Sequence, residues 1–387
     1  MPLWRSGRAL RSIFCSYLAK GCRYNPSCKT MKKTLVLITS LIIFSCTTNQ
    51  TIETPDEPIT ETPFFIKGAD LSFLHEIEAE NTLFYNQNNQ EENAVDILKA
   101  NGINTIRLRV WHTPATTHSS LTEVANFAQQ LKAKGLKIWL SVHYSDTWAD
   151  PSQQQKPVAW ETLSQNQLET EVYNYTSLLC NQIAPEYIQI GNETNNGLLF
   201  PNGNRYQNFN QYKSLLQKGI EAVRNSNIDT NIMLHFAGID GAETYFNELQ
   251  SLDYDTAALS YYPIWHGTNL TEVQTTLSTL KNTLNKDVVI AETAYPFTLD
   301  WNDYTNNIIG LQNQLIPNYP ASLQGQTAFL AQLQQICKNA NTIGLSYWAP
   351  DWVAYRGPTA SNGSSWENQT LFDFSNKVTP AASVFLD

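Results

Sequence analysis

The chain is 387 residues long and carries 25 basic against 35 acidic side chains, a formal charge of −10. A hydrophobic share of 42% with 11% aromatics excludes a disordered or fibrous chain, and the acidic balance excludes broad electrostatic binding to nucleic acid. By length two or three domains would fit, but an α/β barrel alone takes roughly 250 residues, and a chain of this size buries a large core without a disulfide scaffold. Ten Trp and eighteen Tyr read either as core or as a groove that stacks ring-shaped ligands.

The charge is uneven. Residues 1–45 hold eight basic residues and no acidic one, which leaves 17 basic against 35 acidic, or −18, for the remainder. Met31-Lys32-Lys33 precedes an apolar run from Thr34 to Phe44. A short positive region before a short apolar one is the pattern of a secretory signal, and the run is too short for an ordinary membrane span. It ends Ile43-Phe44-Ser45-Cys46, which is similar to the bacterial lipobox, whose Cys is lipidated and becomes the new N-terminus. The expectation is a targeting segment over 1–45, with Met31 as the natural start and 1–30 as an extension. A lipidated tether rich in Thr, Pro and acid follows over 46–63. That describes an exported lipoprotein at the cell surface or facing the periplasm, with plain secretion as the alternative. Cys15, Cys22 and Cys28 precede Cys46, while Cys180 and Cys337 sit in apolar helical patterns and read as buried unpaired thiols. No Cys/His cluster has zinc spacing.

From residue 64 onward β-rich runs alternate with amphipathic stretches. Strands are expected over 64–69, 104–110, 136–142, 187–190, 231–236, 257–261, 287–291 and 342–348. Helices are expected over 91–101, 121–134, 167–182, 210–224, 242–249, 271–284 and 325–339, with Gly135 closing the second. Eight strands with helices between them make a (β/α)8 TIM barrel over 64–387. A doubly wound sheet would want a Gly-rich phosphate loop after its first strand, and none is present. Barrel chemistry sits where strands end, and these ends are polar or aromatic: His143-Tyr144-Ser145-Asp146, Asn192-Glu193, Tyr261-Tyr262, Glu292 and Trp348.

Glu193 and Glu292 each directly follow an apolar β-run, in YIQIGNE and VVIAE. A lone strand-end glutamate is usually structural. A pair on strands 4 and 7 faces itself across the barrel mouth, and glycoside hydrolysis needs a protonated acid and a second carboxylate on opposite sides of the scissile bond.

At this point the residues resemble glycoside hydrolase family 53, the endo-β-1,4-galactanases of clan A. The resemblance runs from about Phe65 to Phe385 and rests on KGADLSFL, NTIRLRVWHTP, SVHYSDTWADPSQQQKPVAW, IQIGNETNNGLLFP, AETAYPFTLDW and SSWENQTLFDF. It implies a retaining double displacement on β-1,4-galactan or type I arabinogalactan, with Glu193 as acid/base and Glu292 as nucleophile. The expected partner is this polysaccharide; no cofactor is required and a monomer is expected.

Among surrounding residues, Asn192 is expected to bond the 2-OH of the reacting sugar. Alternation puts Arg107 and Arg109 on one face of strand 2; either could hold the nucleophile ionised, and Arg109 is the choice, with an inter-strand salt bridge as its alternative. Tyr261 or Tyr262 would donate to Glu292, and Tyr261 is carried forward. His143 and Asp146 would bind sugar hydroxyls. Trp348 is the expected stacking platform, with Trp111, Trp148, Trp352 and Trp366 as extensions of the groove or as core. Some bacterial members of the family bind calcium after strand 7. Here Asp300, Asn302 and Asn306 offer oxygen donors, although Tyr304 interrupts the alternation and a plain polar loop is the alternative. The same carboxylate pair would also serve a β-1,4-glucanase or mannanase, and a non-catalytic glycan-binding lipoprotein is a rival of another class.

Overall fold

The computed structural model describes residues 64–387. The targeting segment over 1–45, the tether over 46–63 and Cys46 lie outside the described residues.

Eight parallel strands close a barrel in chain order: β1 (Ile66–Asp70), β2 (Thr105–Val110), β3 (Lys137–Val142), β4 (Tyr187–Ile190), β5 (Asn231–Ala237), β6 (Thr256–Ser260), β7 (Asp287–Glu292) and β8 (Gly344–Trp348), which pairs back onto β1. Every expected strand is present, with ends displaced by no more than two residues. The expected helices are also present. They are α2 (Ala94–Ala100), α3 (Leu121–Ala133), α4 (Gln165–Ile183), α5 (Phe209–Arg224), α6 (Ala242–Leu249), α8 (Leu270–Leu284) and α9 (Leu323–Asn339). Their starts are fixed by side chains that satisfy orphan N–H groups. Ser120 accepts from Glu123 N, Asn269 from Thr271 N and Ser322 from Gly325 N. Two short helices, α1 (Leu74–Ala79) and α7 (Pro263–His266), have too few turns to show a periodicity, and α7 starts on a proline at its first position. Cys180 and Cys337 are buried and free. Among the described residues no helix is long and apolar enough to cross a membrane.

Strand residues alternate between two interiors. Ile106, Leu108, Val110, Ile138, Leu140, Val142, Ile188 and Ile190 belong to the core between barrel and helices. A second cluster, Ile66, Trp139, Tyr187, Met233, Ala258, Val289 and Ala291, plugs the barrel itself. The next inward layer is polar: Arg107, Ser141, Gln189, His235 and Ser260, all buried. The barrel is therefore dry and apolar below and hydrogen-bonded above. Arg107 lies 5.8 Å over the Trp139 ring where the two regimes meet.

One irregularity matters. The β6–β7 register runs Ala258↔Val289 and Leu259↔Ile290, then jumps to Ser260↔Glu292. This bulge uses up Ala291 and shifts the parity of the strand by one. Without it, Glu292 would point outward with Ile290.

Trp139→Ala is expected to cost about 3–5 kcal/mol, because it removes the largest fully buried side chain of the plug and leaves a cavity that Met233 alone is too small to fill. Urea unfolding of the two proteins checks this.

Candidate active site

The carboxyl ends of the strands open into a cleft of about 580 Å³. At its floor, the buried Arg107 guanidinium donates from Nη1 to Asp70 Oδ2 (2.6 Å) and from Nη2 to Asn192 Oδ1 (2.9 Å), and Nη2 lies 2.7 Å from Glu292 Oε1. Its longer contacts reach Ser141 Oγ and Gln189 Oε1, both at 3.2 Å. The second oxygen of Glu292 accepts from the Tyr262 hydroxyl at 3.0 Å.

Glu193 stands opposite. It leaves β4 through a turn in which Gly191 and Glu193 both have positive φ, +82° and +46°. Gly191 is required there: a Cβ would meet the Thr194 side chain at 2.6 Å. Glu193 has no such exemption and sits in a left-handed conformation that L-residues avoid. That twist points its backbone N–H at His235 Nδ1 (3.2 Å), while its Oε1 accepts from Ser260 Oγ at 2.6 Å. Carboxylate oxygens of Glu193 and Glu292 and a nitrogen of His235 lie within 4.8 Å of one another.

The two carboxyl groups differ in charge environment. Burial pushes Glu193 up to about 8, helped by the negative charge of Glu292 and opposed by Ser260 and Arg107. Burial also raises Glu292, but Arg107 and the Tyr262 hydroxyl pull it back through direct contact. Glu193 is the better proton holder of the pair, and Glu292, with a guanidinium in contact, the better anion.

Several expected neighbours are where the sequence placed them. Asn192 is buried against the cleft and donates its amide to Ala149 O (2.8 Å). His143 lines the cleft; its Nδ1 accepts from Ala149 N (3.1 Å) and Trp111 Nε1 (3.3 Å), which leaves the Nε2 proton as the free donor. Burial and the two arginines hold His143 well below the ordinary histidine value, so it is a neutral donor. Trp348 lines the cleft beside Trp148, Trp265, Trp352 and Trp366. Trp111 is core and braces His143.

Other expectations need correction. Arg109 does not touch Glu292: its Nε donates to Ser119 Oγ (2.9 Å), and its guanidinium lies between Phe73 (4.1 Å) and Trp148 (4.2 Å). Arg107 takes the expected role because it sits two residues deeper, at the level of Asp70. Tyr261 points toward the helices and donates to Gly267 O, so the partner of Glu292 is Tyr262, which shares the inward parity of Ser260. Asp146 braces a loop instead of lining the cleft, accepting from Thr113 N (2.8 Å) and Val158 N (2.9 Å).

The three expected calcium donors do not converge. Asp300 and Asn306 are exposed, Asp300 accepts from Thr298 Oγ1, and the Asn302 amide reaches Phe374 O. In this region Asp303 Oδ2 and Glu367 Oε2 are buried without a protein donor. Burial and the neighbouring Asp303 charge raise Glu367 above its ordinary value.

Asp70, His235, Ser260 and Trp265 were missed from sequence. Asp70 ends β1, a strand-end signal like that of Glu193. His235 and Ser260 are single polar residues in apolar strands, and that interruption is their only trace.

A family model described as "Glycosyl hydrolase family 53" matches residues 66–385. The arabinogalactan endo-β-1,4-galactanase of Cellvibrio japonicus is 33% identical over 365 residues, covering 90% of this chain and 94% of that protein. The endo-β-1,4-galactanase of Bacillus subtilis is 31% identical, covering 83% and 85%. Among solved structures, the GH53 catalytic domain of Ignisphaera aggregans superposes with a TM-score of 0.79 at 36% identity, covering 85% of this chain and 98% of that one.

Arg107→Met is expected to leave Asp70 and Glu292 as buried unpaired charges, to cost about 3–5 kcal/mol of stability and to raise the Glu292 pKa. Arg109→Met leaves that pKa in place. Carboxyl carbon NMR titration with thermal denaturation separates the two.

Proposed function

The chain belongs to glycosyl hydrolase family 53, and we propose that it hydrolyses β-1,4-galactosidic bonds within galactan and type I arabinogalactan with retention of configuration. The observation that carries this reading is the pair of carboxylates, Glu292 buried and Glu193 half-buried, with oxygens within 4.8 Å, one favouring its proton and one bound to a guanidinium. Retaining pairs stand about 5–5.5 Å apart, whereas inverting pairs need about 6.5–9.5 Å to admit a water. The substrate comes from the relatives, which are named for galactan and arabinogalactan hydrolysis.

Glu292 attacks the anomeric carbon while Glu193 gives its proton to the departing glycosidic oxygen. The sugar is then held as an ester of Glu292, Glu193 draws a proton from water, and that water releases the sugar and restores both groups. Arg107 and Tyr262 hold Glu292 in aim and ionised. The Nε2–H of His143 and the second amide hydrogen of Asn192 are the donors available to sugar hydroxyls. Trp348 offers an indole face to the apolar face of galactose. The chemistry is carried by the two carboxylates and needs no cofactor.

For the amino-terminal part we propose lipidation at Cys46 and a tether that holds the enzyme at a membrane surface. The support is the Lys32-Lys33 start, the short apolar run and the Ile43-Phe44-Ser45-Cys46 end.

Glu292→Gln is expected to lose hydrolysis of linear galactan on the order of a thousandfold or more, and Glu193→Gln about 10²–10⁴-fold. Normal turnover by either variant, or product release from cellulose or mannan in place of galactan, overturns the assignment. In the parent enzyme the same assay loses rate as pH rises through about 8, because Glu193 then gives up the proton it must deliver. Expression of Cys46→Ser in a lipoprotein-processing host moves the protein from the membrane to the soluble fraction; unchanged membrane retention rejects the lipid anchor.

A further inference from the structure

We propose that His235 and Ser260 form a one-way hydrogen-bond relay that divides the two oxygens of Glu193 between two tasks: Oε1 is held by the protein, and Oε2 carries the proton that moves. This rests on the reading of Glu193 as acid/base. His235 and Ser260 are positioning residues in it, since neither needs to touch the sugar.

The direction of the relay follows from counting hydrogens. His235 Nδ1 receives the Glu193 backbone N–H at 3.2 Å and lies 2.9 Å from Gln189 Nε2, whose two hydrogens are shared among it, Ser141 Oγ, Gly191 O and Asn192 Oδ1. A backbone N–H can only donate, so Nδ1 is the bare nitrogen and the imidazole proton is on Nε2. Nδ1 also lies 3.2 Å from Asn192 Oδ1, but that oxygen is already supplied by Arg107 Nη2 and Gln189 Nε2, each at 2.9 Å. Nε2–H therefore donates to Ser260 Oγ at 2.9 Å. With one of its two lone pairs so occupied, the serine hydroxyl has its own hydrogen to direct to Glu193 Oε1 at 2.6 Å, a length typical of a bond to a carboxylate.

The arrangement is rigid. His235 and Ser260 are fully buried on adjacent strands, and His235 is fixed at both ring nitrogens. The ring also stays neutral: burial, with Arg107, His143 and His266 nearby, keeps it well below the ordinary histidine value. Protonation cannot reverse the relay in the working pH range. Because Oε1 always faces a donor, the proton of neutral Glu193 has one place to sit, Oε2.

The groups that face Glu193 are Glu292 from β7, Arg107 from β2, Asp150 from the loop after β3, His235 from β5, and Ser260 and Tyr262 at the end of β6. Among the described residues, Ser260 makes the one hydrogen bond to its carboxylate. Burial and Glu292 favour the acid form, which suits the first step. The second step needs the carboxylate, and Ser260 is the donor that keeps that form accessible. Proton balance closes on Oε2 alone: it loses a proton to the leaving oxygen and regains one from water.

The test is the pH dependence of kcat/KM for Ser260→Ala. Removing a donor to the carboxylate is expected to move the alkaline limb upward by about one pH unit and to lower kcat on galactan roughly tenfold. Ser260→Cys, with a weaker S–H donor, is expected to move the limb part of the way. A limb that stays in place in both variants, whatever happens to KM or Tm, overturns the relay and leaves Ser260 as packing. If Ser260→Ala does not fold, the limb of Ser260→Cys decides alone. Failure of the galactan reading is separate: it shows as absent hydrolysis by the parent enzyme, and the limb is then compared on an aryl β-galactoside.

Discussion

A single buried guanidinium organises the top of this barrel. Arg107 is 2% exposed and contacts Asp70 on β1, Ser141 on β3, Gln189 and Asn192 at β4, and Glu292 on β7. Taking such charges out of water costs several kcal/mol each, and only good geometry with further hydrogen bonds offsets it. The planar fork of arginine meets that condition at its two terminal nitrogens, where a lysine would not. The consequence is chemical. Arg107 makes its ion pairs with Asp70 and Glu292, and Glu193 has no cation in contact. The carboxyl group that lacks the guanidinium is the better proton holder; the one that holds it is the better anion. In the proposed mechanism, acid and nucleophile are distinguished by where one arginine reaches.

The carboxylates must also be aimed, and the fold breaks its own regularity to aim them. β7 carries a bulge at Ala291 that turns Glu292 inward opposite Ser260. β4 ends in a left-handed Glu193 whose backbone N–H is caught by His235. Each departure costs something in an isolated strand or turn. Each is held by a partner that is itself buried, so the surroundings over-determine the conformation.

This explains how far the sequence could be read. Strands were legible because a barrel buries both faces of each, which leaves runs such as KIWLSV and YIQI between polar turns. The glutamates were legible because two of them end such runs on strands that face each other across the barrel mouth, where one alone would read as structural. Depth was not legible. Arg107 and Arg109 share a face of TIRLRV, and alternation is silent on which lies level with Asp70; the register across three strands decides it. Parity failed at β6 for a related reason. Ala257 and Ala258 are both small and apolar, so TAALSYY does not announce which tyrosine turns inward. His235 and Ser260 were passed over because single polar residues in a strand take meaning only from the strand beside them.

The aromatic excess that the composition left ambiguous turns out to serve both purposes at once. Trp139 and Trp160 are buried core, while Trp148, Trp265, Trp348, Trp352 and Trp366 line the cleft. These five are not free platforms. Trp352 stacks on Phe73 at 3.9 Å, Phe73 and Trp148 enclose the Arg109 guanidinium, and Trp348 stands at 80° to Trp366 with centroids 4.7 Å apart. Arg109, which makes no contact with Glu292, therefore packs as a buried cation against the aromatic wall. A ring already fixed by its neighbours loses little freedom when a sugar packs against it, so more of the contact energy remains for holding the chain. Trp265 is the exception, 55% exposed and backed by Trp366 at 6.2 Å. The cleft thus passes from a braced wall near Arg109 to an open indole at Trp265, and a polymer that enters it meets surfaces whose positions are set before it arrives.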